Sequence, residues 1–356
     1  MSIKEIAALA GVSAATVSRV LNDPEHRTSD ADVRERIWKA ARDTNYIPNE
    51  AARNLKMGVN TGAVSPSFVN VLVCGCERAP GDPFYTELLH ITQSELHGSQ
   101  CVLSHVWHND VFSKNDVRSD DLRQETAKMI SETDGSGDGL IVIGDCTKPA
   151  QELLERSFKN VVLLRRFALE SCEDEVSCDG YLAGAAAAEY LFSLGHKAVG
   201  YAGSSDSTVY AGFSETLSRR GIDIAQDCLY DIDQTEAEGF WLMERLAAAK
   251  GSPTAFFCAN DITAVGMLRC LDAKKIKYYT PSIIACNDIE EAQYTRPMLS
   301  TVRLPKHEMG KFAVYLLLDR IRGGHKSPAS VRCACSLAIR ESTLPAGDVR
   351  WTDYYI

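Results

Sequence analysis

The chain has 356 residues, of which 45% are hydrophobic and 24% are charged, and its formal net charge at pH 7 is −10. This length and composition predict a globular protein of two or three domains, each large enough to bury a core. No apolar run approaches the roughly 20 residues that span a bilayer, and the first residues, MSIKEIAALAG, lack the basic segment and cleavage site of a signal peptide. We therefore expect a cytoplasmic protein with no membrane partner.

The negative charge argues against a protein that coats nucleic acid along its whole surface, because phosphates repel acidic side chains. The charge is unevenly distributed along the chain. Residues 1–60 carry nine Lys and Arg against eight acidic residues, so this segment is slightly basic and the remainder holds the negative charge. Only the N-terminal segment is suited to approach a polyanion.

Twelve cysteines occur in the chain, many of them inside apolar runs such as VLVCGC, AFFCAN and VRCACS. In such runs cysteine acts as a small hydrophobic residue, which predicts reduced, buried thiols. Cys74 with Cys76 and Cys333 with Cys335 form C-x-C pairs, and in a strand both thiols of a pair point to one face. A metal or redox site normally needs C-x-x-C spacing together with histidine, so no metal site is predicted.

Three short helices are predicted in the first 45 residues. A capping box that begins at Ser2 opens a helix running to about Ala10, and Ser13 caps the second helix. A third helix opens at Ser29. The turn of about three residues after Gly11 makes the first two helices cross steeply, which is the spacing of a helix-turn-helix. In such a unit the second helix lies in the major groove of DNA.

The exposed residues of this second helix are therefore candidates for contact with DNA. They are Ala15, Thr16, Ser18, Arg19 and Asn22, with the cap residue Ser13 beside them, whereas Ala14 shares the apolar spacing of Val17, Val20 and Leu21. Hydroxyl and arginine side chains reach phosphates, and arginine also binds both major-groove acceptors of guanine. The following segment, PNEAARNLKMG, predicts a helix that is too short to be stable alone in water.

From about residue 69, apolar runs alternate with amphipathic helices. Examples of the runs are GLIVIG, AVGYAG, TAFFCAN and SIIACND. Apolar strands that alternate with helices predict parallel sheets covered by helices on both faces. At about 280 residues this region exceeds a single core. It is interpreted as two similar α/β halves, with a ligand at the carboxyl ends of their strands.

Five segments resemble the lactose repressor family of bacterial transcription regulators: IKEIAALAGVSAATVSRVLN, NYIPNEAARNLK, GLIVIG, FFCANDITAVGML and NDIEEAQYTRPMLSTVRLP. The resemblance implies an all-α helix-turn-helix headpiece and an α/β regulatory domain of two parallel-sheet halves, similar to periplasmic sugar-binding proteins. The implied divisions are a headpiece over 1–46, a hinge helix over 47–58, a linker over 59–69, an effector-binding and dimerisation domain over 70–345, and a tail over 346–356. Three crossovers would join the halves, which are expected over 70–165 plus 300–325 and over 166–295 plus 326–345.

The resemblance assigns roles to headpiece and hinge residues. Ala14 and Ala15 match positions that read bases, and their methyl groups can recognise thymine methyls or DNA shape but cannot form bidentate hydrogen bonds. Arg19 matches a position that contacts guanine, and Leu55 matches a leucine that is wedged into the minor groove. The hinge residues expected at DNA are Arg53, Asn54 and Leu55. The alternatives that stay open are helix packing for Ala14, an unpartnered surface position for Arg19, and packing onto the headpiece for Leu55.

The resemblance also implies an effector cleft between the two halves. The residues expected to line it are Phe84, Tyr85, Asp145, Arg166, Val209, Asn260, Asp261, Asn287 and Asp288. Aromatic faces together with amide and carboxylate groups suit sugar hydroxyls, which need both donors and acceptors. Val209 stands where the family usually has an arginine, and Asn287 where it usually has an aspartate. An absent effector, a different effector and other binding groups therefore all stay open.

The sequence predicts a DNA-binding transcription regulator, a repressor of carbohydrate-utilisation genes controlled by a sugar effector such as a galactoside. The alternatives are a regulator that is independent of an effector or uses a corepressor, and a solute-binding protein, which would have a signal peptide and no headpiece. No catalytic role and no cofactor are predicted, because G-x-S-x-G, P-loop and H-E-x-x-H motifs do not occur. The expected partners are a near-palindromic operator and a second copy of the chain, since the C-terminal DVRWTDYYI lacks leucine heptads.

Overall fold

The computed structural model describes residues 7, 9–13, 16, 17, 20, 33, 36, 37, 40, 66–75, 82–133, 137–169, 173–249 and 252–347. The chain divides into two compact units, Met1–Ser65 and Pro66–Ile356. In the first unit, the described residues are helical at 7, 9 and 10, at 16, 17 and 20, and at 33, 36, 37 and 40. These stretches fall within the three helices predicted from the sequence.

Apolar side chains from all three helical stretches form the core of the first unit. Its buried members are Ala7, Ala10, Val17, Val20, Ile37 and Ala40. Within each stretch the buried residues are three positions apart, which places them on one face of a helix. The N-terminal unit therefore folds around a small shared core, as the periodicity predicts.

The second unit contains twelve strands and eight α-helices in the part of the chain that the structure describes. The strands are β1 (Phe68–Val73), β2 (Val102–His108), β3 (Gly139–Ile143), β4 (Val161–Phe167), β5 (Asp174–Cys178), β6 (Val199–Ala202), β7 (Leu229–Tyr230), β8 (Ala255–Cys258), β9 (Ser282–Asn287), β10 (Ser300–Arg303), β11 (Ser330–Cys333) and β12 (Ser336–Ala338). The helices are α1 (Pro83–Gly98), α2 (Ser119–Glu132), α3 (Lys148–Ser157), α4 (Gly180–Ser193), α5 (Thr208–Arg219), α6 (Glu236–Ala248), α7 (Asp261–Ala273) and α8 (Lys306–Ile321).

The strands form two six-stranded sheets, and each sheet with its helices makes one lobe. The first lobe has the strand order β11-β5-β4-β3-β1-β2, and the second has the order β12-β10-β9-β8-β6-β7. β10 and β12 are antiparallel, whereas the other described neighbours are parallel. β3 and β8 are buried along their whole length, as expected for central strands covered on both faces. The predicted pair of parallel α/β halves is confirmed.

Three connections join the lobes within the described part of the chain. They run from β5 to α4, from β10 to α8, and from β11 to β12. α8 packs against α1 and against β3, β4 and β5, so it belongs to the first lobe although it follows β10. Three crossovers between the halves agree with the arrangement that the resemblance implies.

The boundary expected between the halves is wrong at three strands. The residues of β5 and β11 are expected in the second half, but these strands pair with each other, and β5 pairs with β4, in the first sheet. The residues of β10 are expected in the first half, but β10 pairs with β9 and β12 in the second sheet, and the chain crosses to the first lobe only after it. The sequence of β5, DEVSC, begins with two acids and so lacks the apolar pattern of a buried strand. Both acids are buried because each has a cationic partner, Asp174 with Arg320 and Glu175 with Arg165. Such long-range pairing leaves no local hydrophobic signal.

Candidate functional site

Ser13 and Thr16 mark the start of the second headpiece helix. The Thr16 backbone N–H donates a hydrogen bond to Ser13 Oγ at 3.1 Å, and the two hydroxyl oxygens are 2.8 Å apart. Ser13 is therefore the N-cap, as predicted, and it is exposed at the amino end of the helix. The remaining candidate DNA contacts lie outside the described residues: Ala14, Ala15, Ser18, Arg19, Asn22, Arg53, Asn54 and Leu55.

One wall of the candidate cleft is the amino end of α1, which follows β1 in the first lobe. α1 begins at Pro83, and its N-cap Asp82 accepts a hydrogen bond from the Phe84 backbone N–H at 3.0 Å. Aspartate at the cap and proline at the first helical position both favour helix initiation. This start places Phe84 and Tyr85 side by side, with their rings edge to face and their centroids 5.4 Å apart.

Arg166, near the end of β4, lies against both rings. Its guanidinium carbon is 4.6 Å from the Phe84 centroid and 4.8 Å from the Tyr85 centroid, within the range of cation–π attraction. The guanidinium also forms an ion pair with the buried Asp82. Burial opposes the positive charge, but interactions with Tyr85 and Asp82 outweigh it and raise the pKa of Arg166. Its Nε atom is buried and has no hydrogen-bond partner among the described residues.

Asp145 follows the end of β3 and is exposed. The preceding Gly144 has a φ of 104°, and a Cβ there would lie 1.9 Å from the Cys74 carbonyl oxygen, so only glycine fits this close turn. Although part of the residue reaches solvent, nearby protein atoms displace water from the Asp145 carboxyl and raise its pKa, against the opposing charges of Arg165 and Arg166. Asp145 is therefore electrostatically coupled to the arginine that lies against the aromatic rings.

Asn287, the last residue of β9, is the candidate from the second lobe with free hydrogen-bonding capacity. It is 0% exposed, and neither atom of its amide group has a hydrogen-bond partner within the described residues. Its φ of 124° lies in the region that favours glycine, and asparagine tolerates positive φ better than most residues. An unsatisfied buried amide is costly. The site is therefore suited to a ligand that supplies the missing partners.

Asp288, the next residue, is bonded to other parts of the protein. Its carboxylate accepts hydrogen bonds from Arg303 Nε at 2.5 Å and from Arg340 Nη2 at 2.6 Å. Its backbone carbonyl accepts a hydrogen bond from Lys306 Nζ at 2.7 Å. These bonds tie the end of β9 to β10, to the segment after β12 and to the start of α8. Asp288 thus braces a crossover between the lobes.

Asn260 and Asp261 are also used internally, and both are 0% exposed. Asn260 is the N-cap of α7: its Oδ1 accepts from the Thr263 N–H at 3.1 Å, and its Nδ2 donates to a backbone carbonyl at 2.8 Å. Asp261 accepts hydrogen bonds from the Thr301 hydroxyl at 2.6 Å and from the Ile289 N–H at 2.9 Å. The sequence predicts both as ligand groups, whereas the structure gives each a role in joining elements of the second lobe.

Val209 lies in the first turn of α5 and is 2% exposed. Its carbonyl faces Gly184 of α4, where an added Cβ would lie 1.9 Å from the carbonyl oxygen. Val209 therefore sits where α4 and α5 pack closely together.

Glu87 and Lys306 connect the lobes, and neither was predicted as a site residue. Glu87 on α1 accepts a hydrogen bond from the Glu290 backbone N–H at 3.0 Å and pairs with Lys306 at 2.5 Å. The ammonium group of Lys306, the first residue of α8, is 5.9 Å from the Phe84 ring centroid. A single charged residue near a helix start gives no local indication of such contacts. The one feature of the sequence that marks Lys306 is its position between the strand at 300–303 and the helix that follows, where the chain crosses from one lobe to the other.

The chain matches two family models. Residues 2–49 match the bacterial regulatory proteins of the lacI family, and residues 188–343 match the periplasmic binding protein-like domain. The HTH-type transcriptional repressor CytR of Escherichia coli (strain K12) is 31% identical over 355 residues, which cover 96% of each chain. The HTH-type transcriptional repressor PurR of Mannheimia succiniciproducens is 26% identical over 350 residues, covering 96% of this chain and 98% of the relative.

Solved structures share the fold over nearly the whole chain. The lac repressor dimer bound to operator and the anti-inducer ONPF has a TM-score of 0.63 at 21% identity, covering 97% of this chain and 99% of that chain. The complex of the transcriptional regulator CelR with cellobiose has a TM-score of 0.63 at 20% identity, covering 96% and 99%. At these identities the similarity establishes the fold.

A helix-turn-helix unit and a two-lobed domain like that of periplasmic binding proteins define a ligand-controlled transcription regulator. The chain belongs to the lacI family of bacterial regulatory proteins, and it is a DNA-binding regulator under the control of a small-molecule effector. In the described ranges, no helix is both long and apolar enough to cross a membrane. Among the same residues, no group of three or more His, Cys, Asp and Glu side chains is arranged to hold a metal ion.

Proposed function

We propose that the effector is a sugar bound between the lobes, against Phe84, Tyr85, Arg166 and Asn287, with Asp145 at the edge of the site. The observation that carries this proposal is the Asn287 amide, which is fully buried and lacks both donor and acceptor partners within the described residues. A hydroxyl group both donates and accepts, so neighbouring sugar hydroxyls can satisfy the two atoms of the amide. A third hydroxyl oxygen can accept from Arg166 Nε.

A neutral ligand fits the charges around this site. The Asn287 amide carries no charge, and the positive charge of Arg166 is already balanced by Asp82. The carboxylates of Asp261 and Asp288 are occupied by hydrogen bonds from the protein. Two fold relatives were solved with sugars, CelR with cellobiose and a regulator from Enterococcus faecium with ribose. These features favour a sugar over an anionic or cationic effector.

Asn287→Ala is expected to reduce the stabilisation that the effector gives. A ligand at 100 times its Kd stabilises a protein by about 2.7 kcal/mol, and loss of the amide hydrogen bonds should weaken binding by about 1–3 kcal/mol. Differential scanning fluorimetry with a panel of mono- and disaccharides, including galactosides, measures the shift in Tm for the wild type and the variant.

Tyr278→Ala is the matched control for this experiment, because Tyr278 also lies in the second lobe but is 70% exposed. It should show the same sugar-dependent shift as the wild type. An undiminished shift in the Asn287→Ala variant would contradict the proposed site. A wild type that no sugar stabilises would contradict the ligand class and favour a regulator with a different effector or with none.

We also propose that the protein represses carbohydrate-utilisation genes by binding a near-palindromic operator as a homodimer, in the cytoplasm and without catalysis. The relatives CytR and PurR are repressors, and the lac repressor was solved as a dimer on its operator. Ser13 and the residues after it would lie in the major groove. Two copies of the 47–58 segment would form helices in the minor groove, with Leu55 inserted between base pairs.

Arg19→Ala is expected to weaken operator binding by about 1–3 kcal/mol, since a bidentate contact to guanine would be lost while phosphate contacts remain. Binding to random DNA should change little. Fluorescence anisotropy with both DNAs at one fixed salt concentration makes the comparison. Arg118→Ala removes an arginine whose side chain is 79% exposed in the second unit, and it should leave both affinities unchanged. An equal loss on operator and random DNA would assign Arg19 to phosphate contact instead.

A further inference from the structure

His325, in the loop between α8 and β11, bridges two carboxylates that belong to different elements. Its Nδ1 lies 2.6 Å from Asp319 Oδ2 near the end of α8, and its Nε2 lies 2.9 Å from Asp174 Oδ2. Asp174 is the first residue of β5, and its side chain is 0% exposed, whereas the His325 side chain is 19% exposed. Solvent protons can therefore reach an imidazole that is bonded to a buried carboxylate.

The two contacts of His325 require a proton on both ring nitrogens. An ionised carboxylate has only acceptor atoms, so a ring nitrogen bonded to it must donate. Neutral histidine has one donor and one acceptor, whereas the imidazolium cation has two donors. His325 therefore makes both contacts only as the cation. In agreement, the hydrogen bonds to Asp319 and then to Asp174 raise the pKa of His325 above its ordinary value of 6.5, against desolvation and the charge of Arg320.

Other groups keep Asp174 ionised. Arg320 on α8 donates to it from Nε and, at 2.8 Å, from Nη2, and the Ala329 backbone N–H donates at 2.9 Å. Burial opposes the charge on Asp174, but these bonds and the bond from His325 outweigh it and lower the pKa of Asp174. Arg320 also donates to two backbone carbonyls of the loop. The loop of residues 323–329 is thus folded around one buried carboxylate.

β11, which follows this loop, is held weakly by its own side chains. It is the last strand of the first sheet and pairs with β5. Of its four residues, Ser330–Cys333, only Cys333 is buried, and a segment with few buried contacts opens at low cost. Ala329, directly before β11, is hydrogen-bonded to the Asp174 carboxylate and to the Glu175 N–H. Because β11 leads into the crossover to β12, loosening its start would also loosen one connection between the lobes.

We propose that His325 is a pH-dependent switch: its protonated ring holds the 323–329 loop and β11 on β5, and loss of one proton releases them. The deprotonated nitrogen becomes an acceptor that faces a carboxylate oxygen, which is also an acceptor. That contact is then repulsive, so the ring must leave one of the two carboxylates. Because the folded state binds the proton more tightly than the unfolded state, the stabilisation is complete below about pH 6.5 and is lost as the pH rises through the higher pKa of the folded protein.

Further charged groups on the elements around His325 contribute a background to any pH dependence. Arg320 opposes the positive charge of the ring. Glu173 directly precedes β5 and is hydrogen-bonded to Glu155 of α3, and burial followed by Glu155 raises the pKa of Glu173. Lys326 follows His325 in the loop. Comparison of the wild type with a His325 variant at the same pH removes the contribution of these groups.

The first measurement is NMR of the full-length protein with isotope-labelled histidine, in which the signal absent from the His325→Gln variant belongs to His325. In the wild type this signal should titrate above pH 6.5. In Asp319→Asn, which removes one of the two carboxylates, it should titrate at a lower pH than in the wild type. A His325 signal that titrates at or below pH 6.5 in the wild type would overturn the proposal, and this result needs no variant beyond the one used for assignment.

The second measurement is hydrogen exchange at pH 6, 7, 8 and 9, with labelling times scaled to equal intrinsic exchange, read by mass spectrometry in peptides that cover 323–338. Wild-type protection should be lost as the pH passes the midpoint found by NMR, and His325→Gln should lack this protection at every pH. His90→Gln, which removes an exposed histidine from α1, should behave as the wild type. Equal protection of the wild type and His325→Gln at pH 6 would show that the ring does not hold the loop. Neither measurement uses an effector or DNA, so its outcome is independent of the proposed function.

Discussion

Replacing Arg165 by leucine is expected to lower the free energy of unfolding by about 3–5 kcal/mol. Arg165 Nη1 and Glu175 Oε2 are 3.4 Å apart on neighbouring strands, with side chains only 2% and 1% exposed. Arg165 also donates to Gln151 at 2.9 Å, and the Ser177 hydroxyl donates to Glu175 at 2.8 Å. Without the guanidinium, the Glu175 carboxylate would stay buried without its main counterion, which is much more costly than losing an exposed ion pair.

Urea unfolding of three variants tests this expectation. The double variant Arg165→Leu, Glu175→Leu should recover much of the lost stability, because it removes both buried charges. Arg156→Ala is the control, since Arg156 pairs with Glu152 on the surface at 78% and 51% exposure, and it should cost less than about 1 kcal/mol. If Arg165→Leu is no less stable than the Arg156→Ala control, burial does not make the Arg165–Glu175 pair costly to break. If the double variant is no more stable than Arg165→Leu, the cost does not come from a buried, unpaired Glu175.

The elements that bury apolar side chains could be predicted from the sequence alone. Val17, Val20 and Ile37 follow helical spacing and are 0%, 1% and 0% exposed in the headpiece. The run GLIVIG contains β3, which is buried along its whole length. These signals are local, because an element that packs against a core repeats apolar residues with its own period. The helical headpiece and the parallel sheets follow from them.

The polar residues of the site could not be assigned in the same way. Asn260, Asp261 and Asp288 are the residue types that bind sugars, yet hydrogen bonds within the second lobe occupy their side chains. Whether a carboxylate is available depends on partners such as Arg340, which are distant in sequence. β5 was missed for the same reason, because its acids are neutralised by residues on other elements. Asn287 differs from these residues since no described group reaches its amide.

In the wild type, the protonation of Asp261 is expected to change the free energy of unfolding by about 4 kcal/mol between low and neutral pH. Asp261→Asn should abolish this change. Burial is the largest cause that raises the pKa of Asp261 from 3.8 to about 7, and Asp288 adds to it, while hydrogen bonds from Thr301 and the Ile289 N–H oppose the rise. One pKa unit corresponds to about 1.4 kcal/mol. The folded state holds the Asp261 proton more tightly than the unfolded state, so protonation of Asp261 stabilises the folded protein. This stabilisation is complete below about pH 4 and is lost as the pH rises to about 7.

Urea unfolding of the wild type and the Asp261→Asn variant at pH 5, 6, 7 and 8 isolates this contribution, since other titrating groups are common to both proteins. The stability of the wild type relative to the variant should fall by about 1.4 kcal/mol per pH unit up to about pH 7 and then level off. Thr301→Val removes a hydrogen bond that lowers the pKa of Asp261, so in that background the fall should continue above pH 7. A difference that stays constant from pH 5 to 8 would show that Asp261 is ionised throughout this range in the folded protein.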